Sequence, residues 1–167
     1  MGSVVRVKVV KPQKLKVKEM RLELLNALRS SAKDTEREYK KTVATWKHEV
    51  KFETIIAIGK TKAEFLVGTD DEIFRYVDEG TKPHIIRPVK AKALRFFSNF
   101  SAKTTPGIIG SSQGGSSGDL VFSQGVSHPG TKARNFSKVI NSKGKKAFYS
   151  KMRAAMKRAA EKSGNPA

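Results

Sequence analysis

Apolar residues recur at three- and four-residue steps over residues 18–46. Leu25, Leu28, Ala32, Tyr39, Val43 and Trp46 share one stripe, which predicts a long amphipathic helix. Arg29, Lys33, Glu36, Arg37 and Lys40 fall on the opposite face, and no Gly or Pro interrupts the segment. The period then changes to two. Phe52, Thr54, Ile56 and Ile58 alternate, Gly59-Lys60-Thr61 turns, and Ala63-Glu64-Phe65-Leu66-Val67 continues as far as Gly68. This pattern predicts a β-hairpin. "TDDEIFRYVDEG", residues 69–80, predicts a short helix with Thr69 as N-cap and Glu72 completing a capping box. Asp70 and Asp71 favour the positive end of its dipole. Ile73, Tyr76 and Val77 form its expected buried stripe, and Gly80 is its expected left-handed stop.

Beyond Gly80 the pattern loosens. Pro83 and Pro88 hold an extended loop, because each disfavours helix at the preceding residue. Leu94 and Phe96 begin a strand, with Arg95 and Phe97 on its other face. Residues 101–118 are rich in Gly and Ser, which predicts a flexible loop. "DLVFSQGVS" reads as a second strand, pairing with the first across that loop. Helical spacing returns at Asn135 with Phe136, Val139 and Ile140, and Gly144 is expected to weaken or break it. Phe148, Met152, Ala155 or Met156, and Ala159 then line one side. Residues 1–17 read as an N-terminal arm or edge strand, where Val5, Val7 and Val9 alternate with Arg6 and Lys8. Its lysines resist unwanted pairing yet leave it able to add to a neighbour's sheet. Residues 164–167 read as a loose tail. The expected fold class is α+β. One domain, 18–163, is a small antiparallel sheet packed by a long N-terminal helix and a C-terminal helix.

Charge changes the picture more than composition does. The chain has 167 residues, one domain's worth, and a net charge of +19. Residues 1–83 hold 18 Lys and Arg against 13 Asp and Glu, whereas residues 84–167 hold 16 against 2. A polyanion or an acidic protein surface is the natural partner of the second half. The plainer reading is a solvated basic face, or a subunit balanced by acidic neighbours. The absence of cysteine excludes disulfides, thiolate nucleophiles and cysteine-ligated metals. No run of about 18 apolar residues exists, so no transmembrane helix is expected.

Motifs with chemical potential mostly reduce to architecture. "IGKT" at 58–61 resembles the end of a phosphate loop, but position 54 is Thr where that motif needs Gly, and a strand follows where it needs a helix. Asp70, Asp71, Glu72, Asp78 and Glu79 invite a magnesium reading, yet helix capping accounts for the first three. His84 and His128 each sit beside a proline without a nucleophile partner, so turn histidines are expected rather than general bases. No catalytic residue, metal ligand or cofactor is assigned. The C-terminal helix carries Lys145, Lys146, Lys151, Arg153, Lys157 and Arg158, candidate contacts to a polyanion or an acidic partner.

Two stretches share Gly-Thr-Lys beside a His and a Pro. The first comprises Tyr76, Glu79-Gly80-Thr81, Pro83-His84, Pro88 and the strand Lys92-Ala93-Leu94-Arg95-Phe96. The second comprises His128-Pro129-Gly130-Thr131-Lys132-Ala133 and Phe136. Their order, spacing and flanks resemble the tail-component family of long-tailed bacteriophages, the neck or tail-completion proteins of the minor tail protein Z-like type. The resemblance covers about residues 20–162. It implies a structural virion protein of the head–tail junction, assembled in the host cytoplasm and bringing no catalytic residues. Such a protein forms a ring, a hexamer by expectation. Its expected partners are further copies of itself, the connector or head-completion protein and the tail-tube or tail-terminator protein, with packaged DNA close by and no membrane. The rival reading, from charge alone, is a free nucleic-acid-binding protein.

Overall fold

The computed structural model describes residues 12–59, 62–110 and 113–165. Two helices of 27 residues dominate it, α1 (Val17–Val43) and, at the C-terminal end, the helix Phe136–Lys162. Each spans about 40 Å at the standard helical rise. They run antiparallel. The Lys16 backbone N–H donates to Ser163 Oγ at 2.9 Å. Glu23 pairs with Arg158 at 2.8 Å and Lys162 at 2.6 Å. Asp34 pairs with Lys151, and Gly144 faces Thr35. Ala27, Ser31 and Ala32 on one helix and Ala155 and Ala159 on the other are buried, and side chains this small let the two backbones approach closely. The expected break at Gly144 does not occur. Its Gly penalty of about 1 kcal/mol is local, whereas packing along the whole stripe stabilises the helix as a unit.

Between the long helices lie six strands and a short helix. β1 (Glu53–Ile58) and β2 (Ala63–Gly68) form the expected hairpin, with Ile56 opposite Phe65. It lies against α1, and Phe65 meets Phe148 of the C-terminal helix with ring centroids 6.0 Å apart. α2 spans Glu72–Glu79. Its N-cap is Asp71 rather than the expected Thr69: Asp71 Oδ1 accepts from the Phe74 N–H at 2.7 Å, and Thr69 Oγ1 instead accepts from the Asp71 N–H at 3.2 Å. The carboxylate placed directly before the helix reaches the orphan N–H, and the threonine two residues earlier shapes the approach. The inward residue also differs from expectation. Phe74 is buried, while Ile73 and Tyr76 are exposed.

The remaining strands are β3 (His84–Ile86), β4 (Leu94–Ser101), β5 (Gly115–Ser123) and β6 (Val126–His128), and the C-terminal helix is α3. Two corrections follow. The segment "DLVFSQGVS" is two strands with different partners, because a turn at Gln124-Gly125 separates them; the Gly125 N–H donates to Ser123 Oγ at 3.2 Å. The expected loop of 101–118 is shorter, because Gly115–Gly118 already belongs to β5. The α+β class holds, but the single expected sheet is three two-stranded antiparallel ribbons: β1–β2, β3–β6 and β4–β5.

Phe74 is the centre of the core. Its ring lies 6.0 Å from Tyr39, 6.3 Å from Trp46, 5.4 Å from Phe52 and 6.0 Å from Phe136. Phe136 is fully buried, and Val50 and Ile140 complete the cluster. α1 ends at Val43, short of the expected 46, with the Trp46 N–H donating to the Val43 carbonyl at 2.9 Å. That turn aims the indole at Phe74. At the other end Gln13 and Asn165 exchange two hydrogen bonds, 2.6 and 2.9 Å, so the expected loose tail is tied at Asn165. Of the expected arm over 1–17, residues 1–11 lie outside the described residues, and helix begins at Val17. Among the described residues no helix is long and apolar enough to cross a membrane.

Two measurements check the helix pair. A Cβ at Gly144 would lie 3.7 Å from Thr35 Oγ1, an ordinary contact, so Gly144→Ala is expected to raise the unfolding free energy by about 0.5–1 kcal/mol in a urea melt. Hydrogen bonds from Lys162 and Arg158 hold the Glu23 carboxyl below the usual carboxylate range. The native state then binds fewer protons than the unfolded chain as pH falls through that range, so stability drops there. Glu23→Gln should lower stability at neutral pH and flatten its decline below about pH 5.

Candidate functional site

The two Gly-Thr-Lys stretches form one object. The Thr81 N–H donates to the Thr131 carbonyl at 3.0 Å, and the Thr131 N–H returns to the Thr81 carbonyl at 3.2 Å. The same register continues into β3–β6, where His84 lies opposite His128 and Ile86 opposite Val126. Pro83 and Pro129 sit between the threonine bridge and the histidine pair, and a residue without an N–H interrupts the ladder there. Two segments about fifty positions apart are thus the halves of a single antiparallel ribbon.

The glycines allow the halves to cross. Gly80 has φ 79° and Gly130 φ 86°, backbone that side chains with a Cβ rarely adopt. A Cβ at Gly80 would lie 2.6 Å from the Thr131 carbonyl oxygen and 2.8 Å from the Ala133 nitrogen. One at Gly130 would strike the Thr81 carbonyl oxygen and lie 2.9 Å from the Lys82 carbonyl carbon. These neighbours are backbone, so they cannot swing aside.

The crossing joins the end of α2 to the start of α3. The Val77 and Asp78 carbonyls accept from the Arg134 and Asn135 N–H groups at 3.1 and 2.9 Å. The Asp78 carboxylate accepts from the Ser137 N–H at 3.3 Å. Orphan carbonyls of one helix and an orphan N–H of the next are satisfied together, and the Asp78 charge sits where the α3 dipole favours an anion. Asn135 takes the left-handed conformation, φ 55°, to start α3. Phe136 then drops directly onto Phe74.

The histidines belong to this scaffold. Their rings stack with centroids 5.0 Å apart. His84 Nδ1 bonds the Lys82 carbonyl at 2.8 Å and so donates, while His128 Nδ1 accepts from the Gly130 N–H at 3.0 Å. Each ring braces its own proline turn. Among the described residues no group of three or more side chains could hold a metal ion. The Gly59 N–H bonds the Lys62 carbonyl at 2.8 Å and the element that follows is the strand β2; Lys60 and Thr61 of "IGKT" lie outside the described residues.

The other predicted residues divide. Gly80, Thr81, Pro83, His84, His128, Pro129, Gly130, Thr131 and Phe136 gather at the crossing. Glu79 is exposed at the end of α2, and Tyr76 is exposed with the Arg75 guanidinium 5.4 Å above its ring. Pro88, Leu94 and Phe96 lie further along, half-buried. The acidic cluster disperses: Asp71 caps α2 and holds His48 at 2.5 Å, which keeps its carboxyl below the usual range, and Glu72 pairs with Arg75 at 3.5 Å. The basic set on α3 also splits. Lys151 and Arg158 pair with Asp34 and Glu23 of α1, Arg158 remaining half exposed, while Lys145, Lys146, Arg153 and Lys157 are exposed. Glu23 shares the inward face of α1 with Ala27 and Ser31 at i+4 and i+8, so a charge within that stripe was its signal in the sequence.

One surface was not anticipated. Four of the nine phenylalanines, Phe96, Phe97, Phe100 and Phe122, lie in β4–β5, and all but Phe96 are exposed. No helix or other strand packs substantially against this ribbon. At its root is a cleft of about 590 Å³ lined by Trp46, Ile73, Val77, Phe97 and Phe100, with Arg134 beside them. The signal in the sequence was a strand pair apolar on both faces with no second layer to cover it.

No protein-family model matches this chain, and neither a curated protein nor a solved structure does.

Gly80→Val and Gly130→Val should each lower the unfolding free energy by roughly 3 kcal/mol or more, from strained backbone and contact with neighbouring main chain. Urea midpoints against the unaltered chain check this, and a change below about 0.5 kcal/mol at both positions would contradict the crossing.

Proposed function

We propose that this chain is a non-enzymatic structural subunit of the head–tail junction of a long-tailed phage, a neck or tail-completion protein joining the connector to the tail as a ring. The observation that carries the reading is the crossing itself. The residues on which the family resemblance rests are scattered through the sequence, yet Gly80-Thr81 and Gly130-Thr131 meet in one hydrogen-bonded unit that launches the last helix. A motif whose glycines, threonines and histidines bond their own and each other's backbone places a scaffold, which suits assembly rather than turnover.

Two surfaces support the same reading. The projecting aromatic ribbon offers a neighbouring subunit apolar area that a lone monomer leaves in water. The charge excess of residues 84–167 suits a position near packaged DNA or an acidic partner in the junction. The ring is proposed as a hexamer, with connector or head-completion protein on one side and tail-tube or tail-terminator protein on the other.

A second reading, a free nucleic-acid-binding protein, is favoured by the exposed cations Lys145, Lys146, Arg153 and Lys157 along α3. The two separate cleanly. The neck reading expects a closed oligomer by light scattering, ring-shaped particles by negative-stain microscopy, and the protein in purified virions by mass spectrometry. DNA binding that is tight at physiological salt with a steep salt dependence, from a protein that stays monomeric and is missing from virions, would replace it with the second reading.

A further inference from the structure

Two exposed sheet faces carry opposite charge. In β1–β2, Glu53 lies opposite Gly68, Ile55 opposite Leu66, and Ala57 opposite Glu64. Directly opposed residues project to the same side, so these six share one face, away from the half-buried Phe65 and buried Val67. Ile55 is 56% exposed and Leu66 65%. The charges on that face are the carboxylates of Glu53 and Glu64 and the ammonium of Lys62, which lies opposite Gly59 and pairs with Glu64 at 3.2 Å, so Glu53 is the carboxylate left without an ion pair among the described residues. In β4–β5, Arg95 lies opposite Phe122 and Phe97 opposite Leu120. Phe97 is 48% exposed, Leu120 41% and Phe122 65%. Arg95 is the one charge among these four and has no ion pair among the described residues.

We propose that these faces bind each other between copies: the β4–β5 face of one subunit, Arg95 with Phe97, Leu120 and Phe122, seats on the β1–β2 face of the next, where Glu53 and Glu64 flank Ile55 and Leu66. The inference rests on the reading of the chain as a ring subunit and names the surfaces that close the ring. The pairing is head-to-tail because the two faces differ. A contact of that kind leaves one free face at each end of a dimer, and so propagates until the ring closes. The other conceivable self-contact, ribbon on ribbon, brings Arg95 against Arg95 with no carboxylate on the face to answer it. The acceptor is stiff because its far side lies on α1, while the projecting ribbon can reach outward.

The test uses two full-length variants, each disabling one face. Phe122→Asp places a carboxylate opposite Glu53 and Glu64. Leu66→Arg places a cation opposite Arg95. Both positions are exposed, so circular dichroism and urea midpoints should match the unaltered chain. By light scattering the unaltered chain should form a closed oligomer and each variant alone a monomer. Mixed one to one, the variants retain a single intact pair of faces and should yield a dimer and nothing larger. The chain has no cysteine, so Ile55→Cys mixed with Phe97→Cys under oxidising conditions should give one disulfide-linked dimer, absent with either protein alone.

Three results would overturn the pairing and leave the ring reading standing: both variants still closing into oligomers, Leu66→Arg alone doing so, or both falling to monomers that do not combine or cross-link when mixed. An unaltered chain that stays monomeric at every concentration would remove the ring reading and the pairing with it.

Discussion

The junction of α2 with α3, and the β3–β6 ribbon beside it, hang on the antiparallel crossing of Gly80-Thr81 with Gly130-Thr131. Two backbone hydrogen bonds there close a loop of about fifty residues. Loop closure on this scale is entropically unfavourable, and the bonds gain their worth from what they align. The Val77 and Asp78 carbonyls meet the Arg134 and Asn135 N–H groups, and Phe136 lands on Phe74. The aromatic cluster and the crossing therefore stabilise each other. Neither glycine can take a side chain without displacing main chain from the other half, so the geometry is specified jointly by two distant points.

The long helices solve a different problem. A chain with this excess of positive charge must place its few carboxylates well. Glu23 and Asp34 lie where they each hold cations of α3, beside a buried stripe rich in small residues, Ala27, Ser31 and Ala32 with Leu28 on α1 and Ala155 and Ala159 on α3. Close packing of small residues and charge-assisted bonds at its edge act together. The consequence for function is that two of the six expected cations on α3, Lys151 and Arg158, are ion-paired with α1.

Uncovered apolar area is concentrated in the sheet ribbons rather than the helices. A two-stranded ribbon has no second layer of its own and is marginal in isolation. The β4–β5 ribbon carries three exposed phenylalanines, of which Phe97 and Phe100 border the cleft beside Trp46, Ile73 and Val77. On the proposed ring reading the missing layer comes from another subunit, through ordinary burial of apolar surface.

Periodicity by itself determined α1, the β1–β2 hairpin, α2 and the helical character of α3 on either side of Gly144, because each depends on contacts within a few residues. Gly80, Gly130, Phe136 and the two Gly-Thr-Lys stretches were legible as special. That Gly80 and Gly130 cross was not, since strand pairing across fifty residues leaves no local trace. The same reason explains the split of "DLVFSQGVS" into strands with different partners, and the persistence of α3 through Gly144, where α1 outweighs a local preference. Phe74 shared a helix with Ile73 and Tyr76, and only the approach of Tyr39, Trp46, Phe52 and Phe136 made it the inward residue. The sequence determined the elements and the charge they carry. Tertiary structure decided which element meets which, because burial and backbone pairing act between segments that the sequence keeps apart.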